Sequence, residues 1–143
     1  MSGPIPVTLL TGFLGAGKTT LLNALLQQPA MAGTAVLINE FGEIGLDHLL
    51  VERLDGETVL LNAGCLCCTV RGDLVVALDG LWERMLAGHA IARVVIETTG
   101  LADPAPILQT LMGHPGLAHR FVLDGVVTLV DAATGDATLD TQV

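Results

Sequence analysis

The segment from Gly12 to Thr19 contains residue types that can hold a phosphate group. Its sequence, Gly-Phe-Leu-Gly-Ala-Gly-Lys-Thr, fits the G-x-x-x-x-G-K-[S/T] pattern of a P-loop. Glycines let the backbone N–H groups wrap around an anion, Lys18 supplies a positive charge for the β- and γ-phosphates, and the Thr19 hydroxyl is a ligand for Mg²⁺. A dinucleotide-binding loop would need G-x-G-x-x-G and no lysine. The pattern therefore predicts a site for a nucleoside triphosphate.

A second candidate for nucleotide binding lies at the end of another apolar run. Val94-Val95-Ile96 is followed by Glu97 and then by Thr98-Thr99-Gly100. The Glu97 carboxylate can hold Mg²⁺ directly or through water, and the N–H group of Gly100 can contact a γ-phosphate. Buried strands often end in an acidic residue without a functional reason. The P-loop upstream nevertheless favours the functional interpretation.

The segment 39–47 has the composition of a nucleotide-sensing switch. It contains three acidic residues and two glycines directly after an apolar run, and a mobile switch can sense the γ-phosphate in this way. An ordinary solvated loop is equally compatible with this composition. Glu40 and Asp47 are candidates for orienting the attacking water. Because no arginine is placed to act as a finger, we expect slow hydrolysis.

Three thiols are crowded into four residues at Cys65, Cys67 and Cys68. They could supply three of the four tetrahedral ligands that Zn²⁺ prefers. Successive side chains of an extended backbone point in opposite directions, so we expect an irregular loop here, which Gly64 would permit. Alternatively, the thiols are small buried core side chains. The fourth ligand is left open among Glu43, His48, water and a group from a partner protein.

The apolar runs predict the elements that position these residues. Each run is apolar on both faces and ends in polar or small residues, as expected of strands in a covered parallel sheet; the five runs are 7–10, 35–38, 59–61, 94–96 and 126–130. Helices are expected at about 18–28, 70–87 and 104–112. The fold class is therefore α/β, a mostly parallel sheet with helices on both faces. Ligands bind at the carboxyl ends of such strands, so we expect the phosphate loop and the cysteines at one edge.

Composition excludes several other classes. The chain has 143 residues, a formal net charge of −9 and 51% hydrophobic residues. It is too hydrophobic for a disordered chain and too acidic for binding a nucleic-acid backbone. Its apolar runs are too short to cross a membrane, and no secretory signal is evident. Three clustered cysteines do not suit a secreted disulfide framework, so we expect a soluble, cytoplasmic protein.

Four motifs together resemble those of the CobW-type GTPases, which belong with the nickel-insertion GTPases of hydrogenase and urease. The motifs, in chain order, are Val-Thr-Leu-Leu-Thr-Gly-Phe-Leu-Gly-Ala-Gly-Lys-Thr-Thr (7–20), Asn-Glu-Phe-Gly (39–42), Gly-Cys-Leu-Cys-Cys (64–68) and Glu-Thr-Thr-Gly-Leu-Ala-Asp-Pro (97–104). The similarity runs from about Pro6 to Ala132 and is greatest for the YjiA-like members.

This resemblance implies a domain that binds GTP·Mg²⁺, hydrolyses it slowly and delivers Zn²⁺, Co²⁺ or a similar ion to a client metalloprotein. It assigns Glu97 and Gly100 to the second nucleotide motif and favours Cys67 with Glu43 as metal ligands. Some relatives carry a further acid where this chain has Ile38. By position, the phosphate loop comprises Gly12, Phe13, Leu14, Gly15, Ala16, Gly17, Lys18, Thr19 and Thr20.

The guanine-reading N/T-K-x-D motif of the family does not occur in residues 1–143. The prediction is therefore a P-loop GTPase domain over 1–143, truncated before that motif and without the family's C-terminal domain. The preference for GTP over ATP depends on the resemblance alone. A small-molecule kinase or ATPase with a structural thiol cluster, and a non-hydrolysing metal buffer or redox sensor, remain alternatives. A homo-oligomeric state is left open.

Overall fold

The computed structural model describes residues 4–12, 18–38, 46–70, 73–98, 105–129 and 139–142. Two single-turn 3₁₀ helices, Pro29–Met31 and Leu46–Leu49, accompany the strands and α-helices. The main elements, in chain order, are β1 (Ile5–Gly12), α1 (Lys18–Leu26), β2 (Thr34–Ile38), β3 (Leu50–Asp55), β4 (Thr58–Leu61), β5 (Leu66–Thr69), α2 (Leu74–Leu86), β6 (Arg93–Glu97), α3 (Ala105–Gly113), α4 (Pro115–Ala118), β7 (Phe121–Leu129) and β8 (Leu139–Gln142).

The described strands form one sheet in the order β3-β4-β5-β2-β6-β1-β7-β8. β5, β2, β6, β1 and β7 are parallel to one another. The β3–β4 hairpin extends one edge in antiparallel fashion, and β8 pairs antiparallel with β7 at the other. The predicted mostly parallel sheet is confirmed.

Two buried clusters separate the sheet from its helices, because alternate strand residues face opposite sides. In β2, Val36 and Ile38 belong to a cluster that contains Leu22 and Leu26 of α1; we call this cluster the α1 layer. Ala35 and Leu37 belong to the opposite cluster, the α2 layer, whose helical members are Leu78, Leu81, Leu111 and Leu117. The prediction of helices on both faces is thus confirmed.

Local sequence explains where the helices begin and end. α1 ends three residues before Pro29, which cannot continue a helix. α2 begins after Asp73, whose carboxylate accepts a hydrogen bond from the Val75 N–H at 2.8 Å. This side chain is an N-cap and satisfies one of the unpaired donors of the first turn.

The predicted direction of one of the five strands is wrong. The run 59–61 lies in β4, which is antiparallel to β5. Its carboxyl end is therefore at the edge where the parallel strands begin. β3, β5 and β8 lie outside the predicted runs, and the predicted helix 70–87 begins only at Leu74, after its N-cap Asp73.

Candidate functional site

The predicted context of the phosphate loop is found. β1 ends at Gly12 and α1 begins at Lys18, so a strand leads into the loop and a helix follows it. The first turn of α1 contains no acidic residue, which suits an anion at the positive end of a helix. Thr20 is exposed in this turn. Residues 13–17 and the side chains of Lys18 and Thr19 lie outside the described part of the chain.

Glu97 lies beside the end of the strand that leads into the phosphate loop. It is the last residue of β6 and is in register with Leu10 of β1. The next residue, Thr98, donates to the Leu10 carbonyl from its backbone N–H at 2.9 Å and from its hydroxyl at 3.2 Å. These bonds fix the carboxyl end of β6 against β1. The partly exposed Glu97 is therefore at the edge where a nucleotide is expected.

The other predicted nucleotide and switch residues cannot be placed. Glu40, Glu43 and Gly100 lie outside the described residues, as does the side chain of Asp47. Their roles stay predictions. His48, an alternative fourth metal ligand, is exposed at the end of the Leu46–Leu49 turn.

Cys65 is not at the predicted edge of the sheet. It follows a turn in which Gly64 has φ +88° and donates from its N–H to the Leu61 carbonyl at 3.0 Å. The Gly64 carbonyl accepts from the N–H of Gly33, just before β2 begins, at 3.2 Å. Cys65 is therefore at the amino edge, opposite the phosphate loop. The expectation failed because β4, which precedes this turn, runs antiparallel to its neighbour.

The expected irregular loop at Cys67 and Cys68 is also wrong, since both belong to β5. Cys67 is in register with Val36 of β2 and Val59 of β4. Regular alternation places Cys67 in the α1 layer and Cys68 in the α2 layer. Cys65 shares the α1 layer with Cys67. The strand backbone therefore separates Cys68 from the other two thiols.

The three free thiols pack as small core side chains in this arrangement. Cys65 and Cys67 are 0% exposed and Cys68 is 8% exposed. The Cys65 thiol donates to the Met31 carbonyl at 3.1 Å. Burial raises the pKa of all three thiols, and for Cys67 the neighbouring Cys68 and Cys65 raise it further. The thiols are thus neutral in this conformation, and no group of three or more His, Cys, Asp or Glu among the described residues is arranged to hold a metal ion.

Cys68 has a polar partner that sequence reasoning missed. The Thr58 hydroxyl of β4 donates to the Cys68 sulfur at 3.7 Å. The sulfur also borders a cavity of about 250 Å³, which lies between β4, β5 and α2. Asp55, at the same cavity, forms an ion pair with Arg84 of α2. No sequence signal marks Thr58, because its partner is defined only by the β4–β5 register.

Ile38 faces the same side of the sheet as Cys67. It is 1% exposed and belongs to the α1 layer. The position at which some relatives carry an acid therefore lies on the Cys67 side of the sheet. In this chain an apolar side chain fills it.

No helix in the described ranges has the length and apolar character needed to span a bilayer.

Comparison with known proteins identifies the family. Residues 6–142 match the family described as CobW/HypB/UreG, nucleotide-binding domain. The zinc chaperone YjiA of Escherichia coli is 47% identical over 134 residues, which are 93% of this chain and 42% of YjiA. The zinc-regulated GTPase metalloprotein activator 1 of Schizosaccharomyces pombe is 42% identical over 139 residues, 93% of this chain and 33% of that protein.

A solved structure of YjiA has a similar fold. The crystal structure of Zn(II)-bound YjiA GTPase from E. coli superposes with a TM-score of 0.78 at 46% identity, over 92% of this chain and 42% of that one. The chain thus spans only about two fifths of the length of YjiA. The family match covers nearly all of it, however, and confirms the resemblance of its motifs: the chain belongs to the CobW/HypB/UreG nucleotide-binding domain family.

Proposed function

We propose that this domain binds GTP·Mg²⁺, hydrolyses it slowly and uses the cycle to control the binding and delivery of a zinc ion to a client metalloprotein. The observation that carries the proposal is the P-loop context, a strand ending at Gly12 and a helix beginning at Lys18, with Glu97 at the adjoining strand end. Zinc is favoured over cobalt because the similar YjiA protein is named a zinc chaperone and was crystallised with Zn(II).

The nucleotide would be held at the carboxyl edge of β1 and β6. Residues 12–20 would surround the phosphates, with Lys18 as the positive charge and the N-terminus of α1 directed at the anion. The Glu97 carboxylate and the Thr19 hydroxyl are oxygen donors, which suits Mg²⁺. The position of Glu97 beside Leu10 fits such a role. When bound, Mg²⁺ would neutralise charge on the β- and γ-phosphates.

Slow hydrolysis is expected because three of the five arginines lie away from the nucleotide edge among the residues that the structure describes; Arg71 lies outside them. Arg93 and Arg120 lie at the amino edge of the sheet, away from the nucleotide. Arg84 pairs with Asp55 near the β3 edge. Without an arginine finger, switch GTPases turn over at roughly 10⁻⁴ to 10⁻² s⁻¹. Glu40 and Asp47 would orient the attacking water, and a partner would accelerate the reaction.

The sheet offers a direct mechanical connection between nucleotide and metal. The proposed switch, residues 39–47, follows β2 without a linker. At the last residue of β2, the Ile38 carbonyl accepts a hydrogen bond at 2.7 Å from the N–H of Val70, which follows β5. A movement of the switch would therefore act on the strand that carries Cys67. Glu43 in the switch would join Cys67 as a ligand.

The test is equilibrium zinc binding with a non-hydrolysable GTP analogue and with GDP. We expect a difference of at least about fivefold, since allosteric coupling typically amounts to 1–3 kcal/mol and must be reciprocal. A Lys18→Ala variant should show no difference between nucleotides. Equal zinc affinities in the native chain would exclude nucleotide-controlled delivery, and binding of ATP in preference to GTP would favour an ATPase or kinase.

A further inference from the structure

The alternation of β5 divides the three thiols between the two faces of the sheet. Cys65 and Cys67 lie in the α1 layer, and Cys68 lies in the α2 layer beside its cavity. Each Zn–S bond is about 2.3 Å long, so two sulfurs on one tetrahedral zinc ion lie only about 3.8 Å apart. Cys67 and Cys68 cannot meet this requirement while a strand backbone stands between their side chains. One ion can therefore bind at most two of the three thiols in this arrangement.

The division is maintained by ladders on both sides of β5. Parallel pairing with β2 runs from Leu66 to Thr69, and antiparallel pairing with β4 covers Leu66 to Cys68. The N–H of Thr69 donates to the Glu57 carbonyl at 2.8 Å, and the Thr58 hydroxyl holds the Cys68 sulfur on the α2 side. β5 is only four residues long. Its release would break the ladders on both sides and expose four residues that are buried in the sheet.

The segment has a suitable pivot at one end. Gly64 has φ +88°, a region that residues with a side chain rarely adopt. A Cβ added at Gly64 would meet only atoms of Ala32, at 3.4 and 3.7 Å, so there is space beside the turn on that side. A change of direction at this glycine would break the hydrogen bond that its carbonyl accepts from the Gly33 N–H, just before β2.

We propose that zinc loading requires β5 to leave the sheet, so that strand pairing of Leu66–Thr69 and zinc binding by three thiols exclude each other. This proposal rests on the proposed function and concerns the conformation in which the metal is held. Released from its ladders, the Cys65–Cys68 segment can turn all three sulfurs to one side. The sheet thus acts as a competitor for the metal ligands, and any partner that restores the β5 ladders expels the ion.

The test is amide hydrogen exchange of the native chain with and without zinc. Zinc should accelerate exchange at Leu66–Thr69 at least about tenfold, because amides released from a ladder lose their protection. The central strand β6, Arg93–Glu97, is the internal reference and should not change. A chain with all three cysteines replaced by alanine should show no response to zinc.

A second measurement counts the ligands with Co²⁺ as the probe. We expect sulfur-to-cobalt charge-transfer absorption from three thiolates, so each of Cys65→Ala, Cys67→Ala and Cys68→Ala should lower its intensity by about one third. Alanine is chosen because a small apolar residue suits these buried positions. Full intensity in Cys68→Ala, or a β5 that stays protected while zinc is bound, would overturn the inference and leave zinc binding intact. A chain that binds neither ion would refute the proposed function as well.

Discussion

The phosphate-binding region and the thiol segment belong to one sheet. The first depends on elements that are consecutive in the chain, and the second depends on pairing with strands that are distant in sequence. Around the phosphate loop, β1 and α1 are consecutive, and five residues separate Gly12 from Lys18. The thiol segment depends instead on pairing with β2, about thirty positions earlier, and with β4. The context of a local motif depends on neighbouring residues in the chain, whereas the conformation of a paired strand depends on distant partners. The setting of the phosphate loop thus depends on consecutive residues, whereas the arrangement of the three thiols depends on the pairing of the sheet.

The largest expected effect concerns the phosphate loop. Lys18→Ala should weaken GTP binding at least about a hundredfold, because it removes charge-assisted hydrogen bonds to the phosphates. Binding of a fluorescent GTP analogue measures this loss. The thermal unfolding temperature of the variant without nucleotide should match that of the native chain. A loss of less than threefold in GTP affinity would contradict the assignment of the P-loop.

The thiol segment should respond most strongly to alkaline pH. Burial raises the pKa of its three thiols above the ordinary value of 9.0, so the unfolded chain loses these protons first as the pH rises. Stability should therefore be constant below about pH 8 and fall above pH 9, by up to about 1.4 kcal/mol per pH unit for each thiol. Denaturant unfolding with a chelator and a reductant measures this slope.

The composition of the chain makes the titration of the thiols easy to separate from that of other groups. The chain has no tyrosine and a single lysine, so few other groups titrate in that range. A chain in which all three cysteines are replaced by alanine is the control and should have a much flatter profile. The same slope in both chains would show that the thiols are not buried in the neutral form.

Sequence patterns predicted the parallel centre of the sheet and failed at its edge. β1, β2 and β6 are apolar on both faces because helices cover them on both sides, and this pattern is visible in the residues themselves. β5 has the sequence Leu-Cys-Cys-Thr and follows Gly64-Cys65, a pattern that equally fits a metal-binding loop. The β3–β4 hairpin that completes its pairing could not be inferred from apolar runs, since β3 is almost entirely exposed.

The residues of the candidate site also divide into those whose positions could be predicted from the sequence and those whose positions could not. The position of Glu97 follows from the parallel register of β6 with β1, which the strand pattern implied. The positions of Cys65 and Cys68 depend on the direction of β4, which the pattern gave wrongly. Spacing in the sequence shows that thiols are near one another, but only the backbone conformation decides whether they face one another.

A smaller effect is expected at the turn before the thiol segment. Gly64→Ala should destabilise the chain by about 1–2 kcal/mol, because alanine must adopt the left-handed conformation at φ +88°. The added Cβ itself would meet only Ala32, at ordinary contact distances of 3.4 Å and more. Gly56→Ala is the matched control; it has open space and an ordinary φ, and should change stability by less than about 0.5 kcal/mol. Equal stability of the two variants would mean that the turn is not held in this conformation.

The smallest effect should have the opposite sign and distinguishes the two sides of β5. Gly80 of α2 lines the cavity beside Cys68, and a Cβ added there meets no atom within 4 Å. Gly80→Ala should therefore stabilise the chain by about 0.5–1 kcal/mol through helix propensity alone. Cys67, on the other side, is 0% exposed and does not line this cavity. Denaturant unfolding of Gly80→Ala measures this gain, and destabilisation would show that α2 is packed too closely against its neighbours to accept an added Cβ.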